Sequence, residues 1–541
     1  MAVTALSVAD LQRNERLRRA LLGGAGVAVA ILLGFAAGAI GKSQDAIGLA
    51  IAVALPVIWW WAPATGVVTL LGCSAVIEQF QYSIAGKPGL DAFTDKIPFF
   101  TSLQGGLGLS GLVFSPADLA VIVLLLVWLT RGVTRGDLRL PRSQVSAAVA
   151  VMVLLALIAL LRGSGLGGND TRAALWEVRP WVYMGATYLF ASQFITTRRA
   201  FQAVLWTVVL GSGFKAIQGV YIWLQTRGLN LGTAPAILAH EESFFFGLFA
   251  MLTLALWLYR QRGWLRTTAT ALLPLVLIAD FANARRDAVL ILGAGTVVML
   301  VVTYAALPER RAMLRRVAVA ALLVSAVYFP AEWNGSGTLA EPAQAVRSAI
   351  APNARDQLSD QYRTDEDANI GDNITHGNPL LGTGFGVPID YGYVPITNIQ
   401  NVDSMILWEP HNDVLYVWMR MGLPGELALW LLIAAGILTG TRATRSKDRE
   451  VAVLGAVVAS ATVGWLLIGY TDMGFTWFRI AIVFGGLLGL LHARMSRDPS
   501  LQAHARNDVA AAPSARPAAF GTPPPRPQPA ALLSAVRDDG L

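Results

Sequence analysis

Apolar residues fall in long blocks separated by short polar segments, and the blocks recur from residue 21 almost to residue 491. The blocks are too long for β-strands, and they lack the alternation of a membrane barrel, whose strands run about ten residues. A helix needs about 20 apolar residues to cross a bilayer. Cores of this kind are read at 21–40, 46–61, 66–77, 117–129, 145–161, 181–195 and 201–224. They continue at 244–258, 267–281, 288–306, 317–329, 427–438, 451–468 and 475–491. The first follows Arg13, Arg16, Arg18 and Arg19. It outruns the h-region of a signal peptide, about 7–15 residues, and so reads as an uncleaved first span. The pattern predicts an all-α fold, a polytopic transmembrane helical bundle of about 12–14 spans.

Two polar segments are long, 79–115 and 331–409. The second is the only one large enough for a small extramembrane subdomain. The chain therefore divides into a cytoplasmic N-terminus (1–19), a bundle of about eleven spans (20–330) and a large extracytoplasmic loop (331–410). A motif helix with the last three spans (411–492) and a tail (493–541) complete it. The tail, rich in Ala, Pro and Arg, buries too little apolar surface to fold and is expected to be disordered and cytoplasmic. Its PPPRPQP run leaves a docking role open.

Composition agrees. Hydrophobic residues make up 55% of the 541 and charged residues 14%, against about 25% charged in soluble domains. With a mean hydropathy of +0.53, this excludes an ordinary soluble enzyme and a disordered protein. The net charge of +7 would suggest nucleic acid in a soluble chain. Here the charges sort by membrane side. The predicted inner loops carry Arg131, Arg135, Arg139 and Arg142, then Arg198 and Arg199, then Arg260, Arg262 and Arg266. Arg310, Arg311, Arg315 and Arg316 follow, and then Arg442, Arg445, Lys447 and Arg449. Basic loops mark the cytoplasmic face, so both termini are expected there and no nucleic-acid partner is implied. The single cysteine, Cys73, permits neither an internal disulfide nor a cysteine-based metal site.

Charges that break this rule point to function. Asn283-Ala-Arg285-Arg286-Asp287 puts two arginines on a short outer turn. They either pair with Asp280 and Asp287 or form an anion clamp, since planar guanidinium groups suit phosphate oxygens. Arg179, where the sixth span begins, reads as a partner of Glu177 or a ligand group. Lys215 lies in the outward half of its span, either snorkelling to the surface or facing a cavity. His240-Glu241-Glu242 precedes the eighth span, its carboxylates either orienting the arginines or simply solvated. Asp472 and Arg479, seven residues apart, read as an intrahelical pair. Together these predict an outward cationic pocket over an apolar bundle, suited to a lipid carrying phosphate or pyrophosphate.

The large loop ends in Asn378-Pro-Leu-Leu-Gly-Thr-Gly-Phe-Gly386, followed by Glu409-Pro-His411-Asn412 and then Gly422-Leu-Pro-Gly425. Pro424 and Gly425 argue against one continuous helix over 411–440. His411 is expected to open a short interfacial helix with Val414, Leu415, Trp418 and Met421 on its apolar face. At a helix N-terminus the dipole favours the neutral imidazole, the form that acts as a base, although a loop or capping role is also open. His240, His376 and His411 are scattered without ligand spacing, so no metal site is expected. Asp365-Glu366-Asp367 reads as a solvated loop or a cation site.

Pro379–Gly386, His411-Asn412 and Gly422–Gly425 resemble, in order and spacing, the signature of the O-antigen ligase and polymerase superfamily. Arg285-Arg286-Asp287-Ala288 resembles the family's Ser-Arg-Gly-Ala-like turn, with Arg286 at the arginine position. Two departures stand out: Arg285 replaces the serine, and Arg420 stands where an acidic residue is common. The resemblance implies a GT-C-like membrane glycosyltransferase that needs neither metal nor cofactor. Its donor would be a glycan on undecaprenyl pyrophosphate at the outer face of the bacterial cytoplasmic membrane. In it, Arg286 would bind the pyrophosphate, helped by Arg285, Arg179 or Lys215, with Asn412 and Glu241 as further binding residues. His411 would take the proton of the acceptor hydroxyl, inverting the anomeric carbon in one displacement. The acceptor, whether glycan, lipid or protein, is not encoded by the motif. A repeat-unit polymerase, a protein O-oligosaccharyltransferase and an exporter remain alternatives.

Overall fold

The computed structural model describes residues 54–80, 94, 97, 99–102, 114–136, 138–166, 169–226, 236–335, 337–394 and 408–501. The described residues up to Asp498 form one compact unit, and almost all of a second, Pro499–Leu541, lies outside the described residues. So do the expected first span, half of the second and residues 502–541 of the tail.

The described residues are helical, with no strand among them. The helices are α1 (Pro63–Val76), α2 (Pro116–Arg135), α3 (Gln144–Leu160), α4 (Thr171–Phe194) and α5 (Arg198–Thr226). Next come α6 (Glu242–Leu258), α7 (Trp264–Ala282), α8 (Arg286–Ala306), α9 (Arg311–Glu332), α10 (Glu341–Ile350) and α11 (Ala354–His376). The chain closes with α12 (Asp413–Ala443), α13 (Arg449–Thr471) and α14 (Phe478–Met495). Nine helices among the described residues are long and apolar enough to cross a membrane, and α1 and α6 are shorter apolar helices. The protein is thus an all-α membrane protein built as a polytopic helical bundle.

Polar residues at the block edges set the helix starts. Ser115 and Ser143 form capping boxes with Asp118 and Ser146, and Asp170, Asn353, Asn412 and Asp448 cap with their side chains. α13 and α14 are buried along most of their length and form the centre of the bundle, whereas α9 is almost wholly exposed. Small residues permit the closest crossings, as expected where lipid supplies no hydrophobic drive between helices. A Cβ on Gly485 or Gly489 of α14 would lie 2.3 Å from the carbonyl oxygen of Met184 or Tyr188 on α4. Gly436 and Gly440 of α12 likewise meet Thr462, Gly455 and Ala459 of α13.

The basic loops gather at one end of the bundle. Arg198 and Arg494 share Glu450 at 2.9 and 3.2 Å, Arg494 also pairs with Asp448 at 2.8 Å, and Arg442 reaches Gln144 at 2.8 Å. The α3–α4 and α7–α8 turns, α10, α11, the start of α12 and the α13–α14 turn lie at the other end. The long polar segment there is ordered by α10 and α11. The expected helix break occurs at Gly422 (φ 67°, ψ −169°), which divides α12 into two helical runs. The first run buries Asp413, Tyr416, Val417, Met419 and Arg420. Of the four residues expected on its apolar face, Met421 is buried and Val414, Leu415 and Trp418 are half-buried. The sequence pattern could not show that Glu177, buried on α4, waits to pair with Arg420.

Candidate active site

The α7–α8 turn is tied down by Asn283. Its Oδ1 accepts the backbone N–H groups of Ile237 and Leu238 at 3.1 and 2.8 Å. Ala284 closes the turn at φ 51°. Arg285 is the N-cap residue of α8 and Arg286 begins its first turn. The dipole of a helix start attracts anions, and both arginines line a cavity of about 1090 Å³. One wall is apolar, with Trp223, Ile237, Phe281, Val289 and Leu290, and α10 and α11 supply a polar wall.

The cavity is less cationic than the sequence suggests. Arg285, Arg286, Arg347 and Arg363 line it, but so do Asp287, Glu341, Asp356, Asp360 and Asp472. Arg286 pairs with Asp360 at 2.9 Å and donates to the hydroxyls of Ser348 and Ser359 at 2.8 and 3.4 Å. Arg347 is spent on the carbonyl of Trp333 at 2.9 Å. The Nε of Arg285 is buried without a partner. No hydrogen bond or ion pair of Arg363 is found among the described residues.

His411 is held by Glu366 of α11. The fully buried carboxylate accepts the backbone N–H of His411 at 3.1 Å and contacts its Nδ1 at 3.0 Å. The hydroxyl of Tyr362 donates to the same carboxylate at 3.2 Å, and its ring stands edge-on to the imidazole at 5.5 Å. With Nδ1 engaged, Nε2 is the nitrogen outside this pair, the arrangement by which a carboxylate fixes a tautomer and an orientation. Burial pulls the His411 pKa down. The Glu366 hydrogen bond and charge, with Asp472, outweigh it and hold the pKa above the ordinary 6.5. This reverses the expected sign, because a buried carboxylate in contact outweighs a helix terminus. Arg363, on the cavity wall, acts on His411 in the opposite sense. The acidic stretch is therefore no solvated loop but part of α11: Glu366 faces inward, while Asp367 accepts from Asn412 Nδ2 at 3.3 Å.

A second imidazole–carboxylate pair reaches the cavity through Asp472, which lines it. His240 Nδ1 contacts Asp472, and the ring stacks on Trp477 at 6.0 Å. Burial alone would raise the Asp472 pKa, but His240 and His411 hold it below the usual carboxylate range. Asp472 thus does not pair with Arg479. Arg479 bonds Glu242 at 2.7 Å and faces Glu241 at 3.8 Å.

The glycine motif serves as a clip. Thr383 and Gly384 donate to the carbonyls of Met419 and Arg420 at 2.7 and 3.0 Å, and Leu423 donates to that of Pro379 at 3.0 Å. On the other side Phe385 N–H reaches the Ala159 carbonyl at 3.0 Å, where α3 widens into a π-helical turn, Leu161–Leu166. Gly386 N–H donates to Glu177 at 2.5 Å. Arg420 completes the clip. It pairs with Glu177 at 2.7 Å and donates to the carbonyls of Val387 and Trp408 at 2.5 and 3.0 Å. The departure at this position is thus absorbed structurally, and Arg420 adds no charge to the cavity lining.

Four expected ligand groups, Arg179, Lys215, Glu241 and Asn412, do not line the cavity. Arg179 pairs with Asp118 at 3.2 Å rather than with Glu177. Lys215 is fully buried, not snorkelling, and bonds Glu78, Gln218 at 2.8 Å and Glu242 at 3.5 Å. Glu241 is buried beside Arg479. Asn412 caps α12 by accepting the Leu415 N–H at 3.3 Å. Arg285 and Arg286 line the cavity together; His411 and Glu366 do not, and the link to them is Asp472 and Arg363, which line the cavity and act on His411 electrostatically. Among the described residues no group of three or more His, Cys, Asp and Glu side chains could hold a metal ion.

No curated protein gives a match to the chain. Residues 275–431 match the family model described as O-antigen ligase. That span holds both turn arginines, the whole of α11, the glycine clip and His411. The resemblance carried by the motifs is therefore shown there: this part of the chain bears the signature of the O-antigen ligase family.

Proposed function

We propose that the protein is a metal-independent inverting glycosyltransferase acting on an undecaprenyl-pyrophosphate-linked glycan at the outer face of the bacterial cytoplasmic membrane. The observation that carries this reading is that α11 serves both halves of the chemistry. It lines the arginine cavity with Ser359, Asp360 and Arg363, and it holds His411 through Glu366. The pyrophosphate is bound by Arg286, Arg285 and Arg363, and the prenyl chain lies along the apolar wall. His411 Nε2 takes the proton of the acceptor hydroxyl as its oxygen attacks the anomeric carbon. The bond to the pyrophosphate oxygen breaks, the leaving group keeps the electron pair, and the carbon inverts. Fixed guanidinium groups stabilise the departing charge, and Glu366 stabilises the imidazolium. Arg179, Lys215 and Glu241, outside the cavity lining, brace the frame. Asn412 sets the start of α12 and so the place of His411.

The acceptor is a glycan, lipid or protein hydroxyl, and chain polymerisation would use the same step. The test is incubation of the purified chain with lipid-linked glycan and acceptor in the presence of a chelator. A new glycosidic bond and free undecaprenyl pyrophosphate are expected. Strict dependence on a divalent ion would refute the metal-free scheme. Transfer of intact lipid-linked glycan across a bilayer, with no new bond, would make the protein an exporter.

A further inference from the structure

Arg286 is occupied by an anion that belongs to the protein. Asp360 Oδ1 lies 2.9 Å from Nη1, and Ser348 and Ser359 add hydroxyls at 2.8 and 3.4 Å. One carboxylate oxygen with two hydroxyl oxygens is the acceptor set that phosphate oxygens would present to a guanidinium. The pair is only part-buried, with the Asp360 side chain 44% exposed and that of Arg286 31%. It can therefore open at modest cost, since exposed pairs contribute about 0.2–1 kcal/mol. The neighbours differ: Arg285 and Arg363, on the same cavity, feel nearby carboxylates such as Asp287 but make no direct ion pair among the described residues.

We propose that Asp360 is an internal competitor for the phosphate site, holding Arg286 in the empty cavity and returning to it as the lipid pyrophosphate leaves. This rests on Arg286 being a phosphate-binding residue. Any pyrophosphate that reaches Arg286 must first displace Asp360, so binding is an exchange of anions. The released lipid pyrophosphate faces the same competitor as the donor. Asp360 therefore weakens both by the same factor, trading donor affinity for faster product release. Asp360 sets the affinity of the site without touching the reacting atoms.

The test measures binding of farnesyl pyrophosphate and of inorganic pyrophosphate to the full-length protein in detergent micelles. Asp360→Asn keeps the shape and removes the charge, and Asp360→Ala removes both. Asp356→Asn is the control, a carboxylate of the same cavity without an ion pair to Arg286. Both Asp360 variants are expected to bind both probes on the order of five-fold more tightly, with Asp356→Asn changed less than about two-fold. In turnover, product inhibition should deepen by the same factor. Unchanged or weaker binding in both Asp360 variants overturns the inference, as does an equal gain in Asp356→Asn. So does a gain for the farnesyl probe alone, which would place the effect at the lipid wall. In each of those cases, loss of binding in Arg286→Gln shows that the phosphate site itself stands. Wild-type affinity in Arg286→Gln would refute the phosphate role and the inference together.

Discussion

Glu366 decides what His411 can do. Its carboxylate holds Nδ1 and the backbone N–H, and its charge raises the imidazole pKa above 6.5. A base must be unprotonated, so activity should fall as pH drops through a value above 6.5. In Glu366→Gln the raising groups are largely gone while burial remains. The acid limb should then move to lower pH, and kcat should fall about 100-fold through lost orientation. The pH–rate profiles of the two proteins check this. An acid limb that stays in place would show that Glu366 acts only structurally. His411 and Arg286 are legible in the sequence because each sits in a short motif. Glu366 and Arg363 are not, since they lie 45 and 48 residues before His411 on a polar helix with no motif of its own. The available signal is helical spacing: Tyr362 and Glu366 are four apart and share a face, which the polar composition of α11 hides. Lys215 and Arg179 mislead for a related reason. A cation in an apolar block announces a partner, and the partners, Glu78, Glu242 and Asp118, come from distant helices.

At the scale of elements, the break in α12 was foreseeable from Pro424 and Gly425, but its cause is the clip. A Cβ at Gly422 would lie 2.4 Å from the Leu380 carbonyl oxygen and 2.6 Å from Gly382 N, at a φ of 67°. Gly422→Ala should therefore cost more than about 2 kcal/mol, from left-handed strain and the clash, and lower the melting temperature in detergent. An unchanged melting temperature would mean that the clip is loose. Arg420→Ala strands the buried Glu177 and should be worse, about 3–5 kcal/mol, with Glu177→Gln in the same background recovering part of the loss. The glycine run, which carries much of the family resemblance, thus fixes the end of the first run of α12, the run that begins beside His411. Sequence spacing alone cannot distinguish such a clip from a phosphate loop, because both need glycine where backbones approach closely.

For the whole molecule, the places of the apolar helices among the described residues and the gathering of basic loops at one end follow from the hydrophobic pattern, while which helices touch does not. α4 and α14 pack through Gly485 and Gly489, far apart in sequence from Met184 and Tyr188. The proposed orientation makes a direct prediction in a Cys73→Ser background. Arg139→Cys should react with an impermeant maleimide only from the cytoplasmic side, and Leu339→Cys, 79% exposed, only from the outside. The reverse pattern would invert the bundle. The central claim joins the arginine cavity to His411 in one reaction. It is tested most directly by measuring donor binding and acceptor-dependent release of undecaprenyl pyrophosphate in wild type, His411→Gln and Arg286→Gln. The account predicts that His411→Gln binds donor normally but turns over at least about 100-fold more slowly, whereas Arg286→Gln loses donor binding. Full turnover in His411→Gln would contradict it.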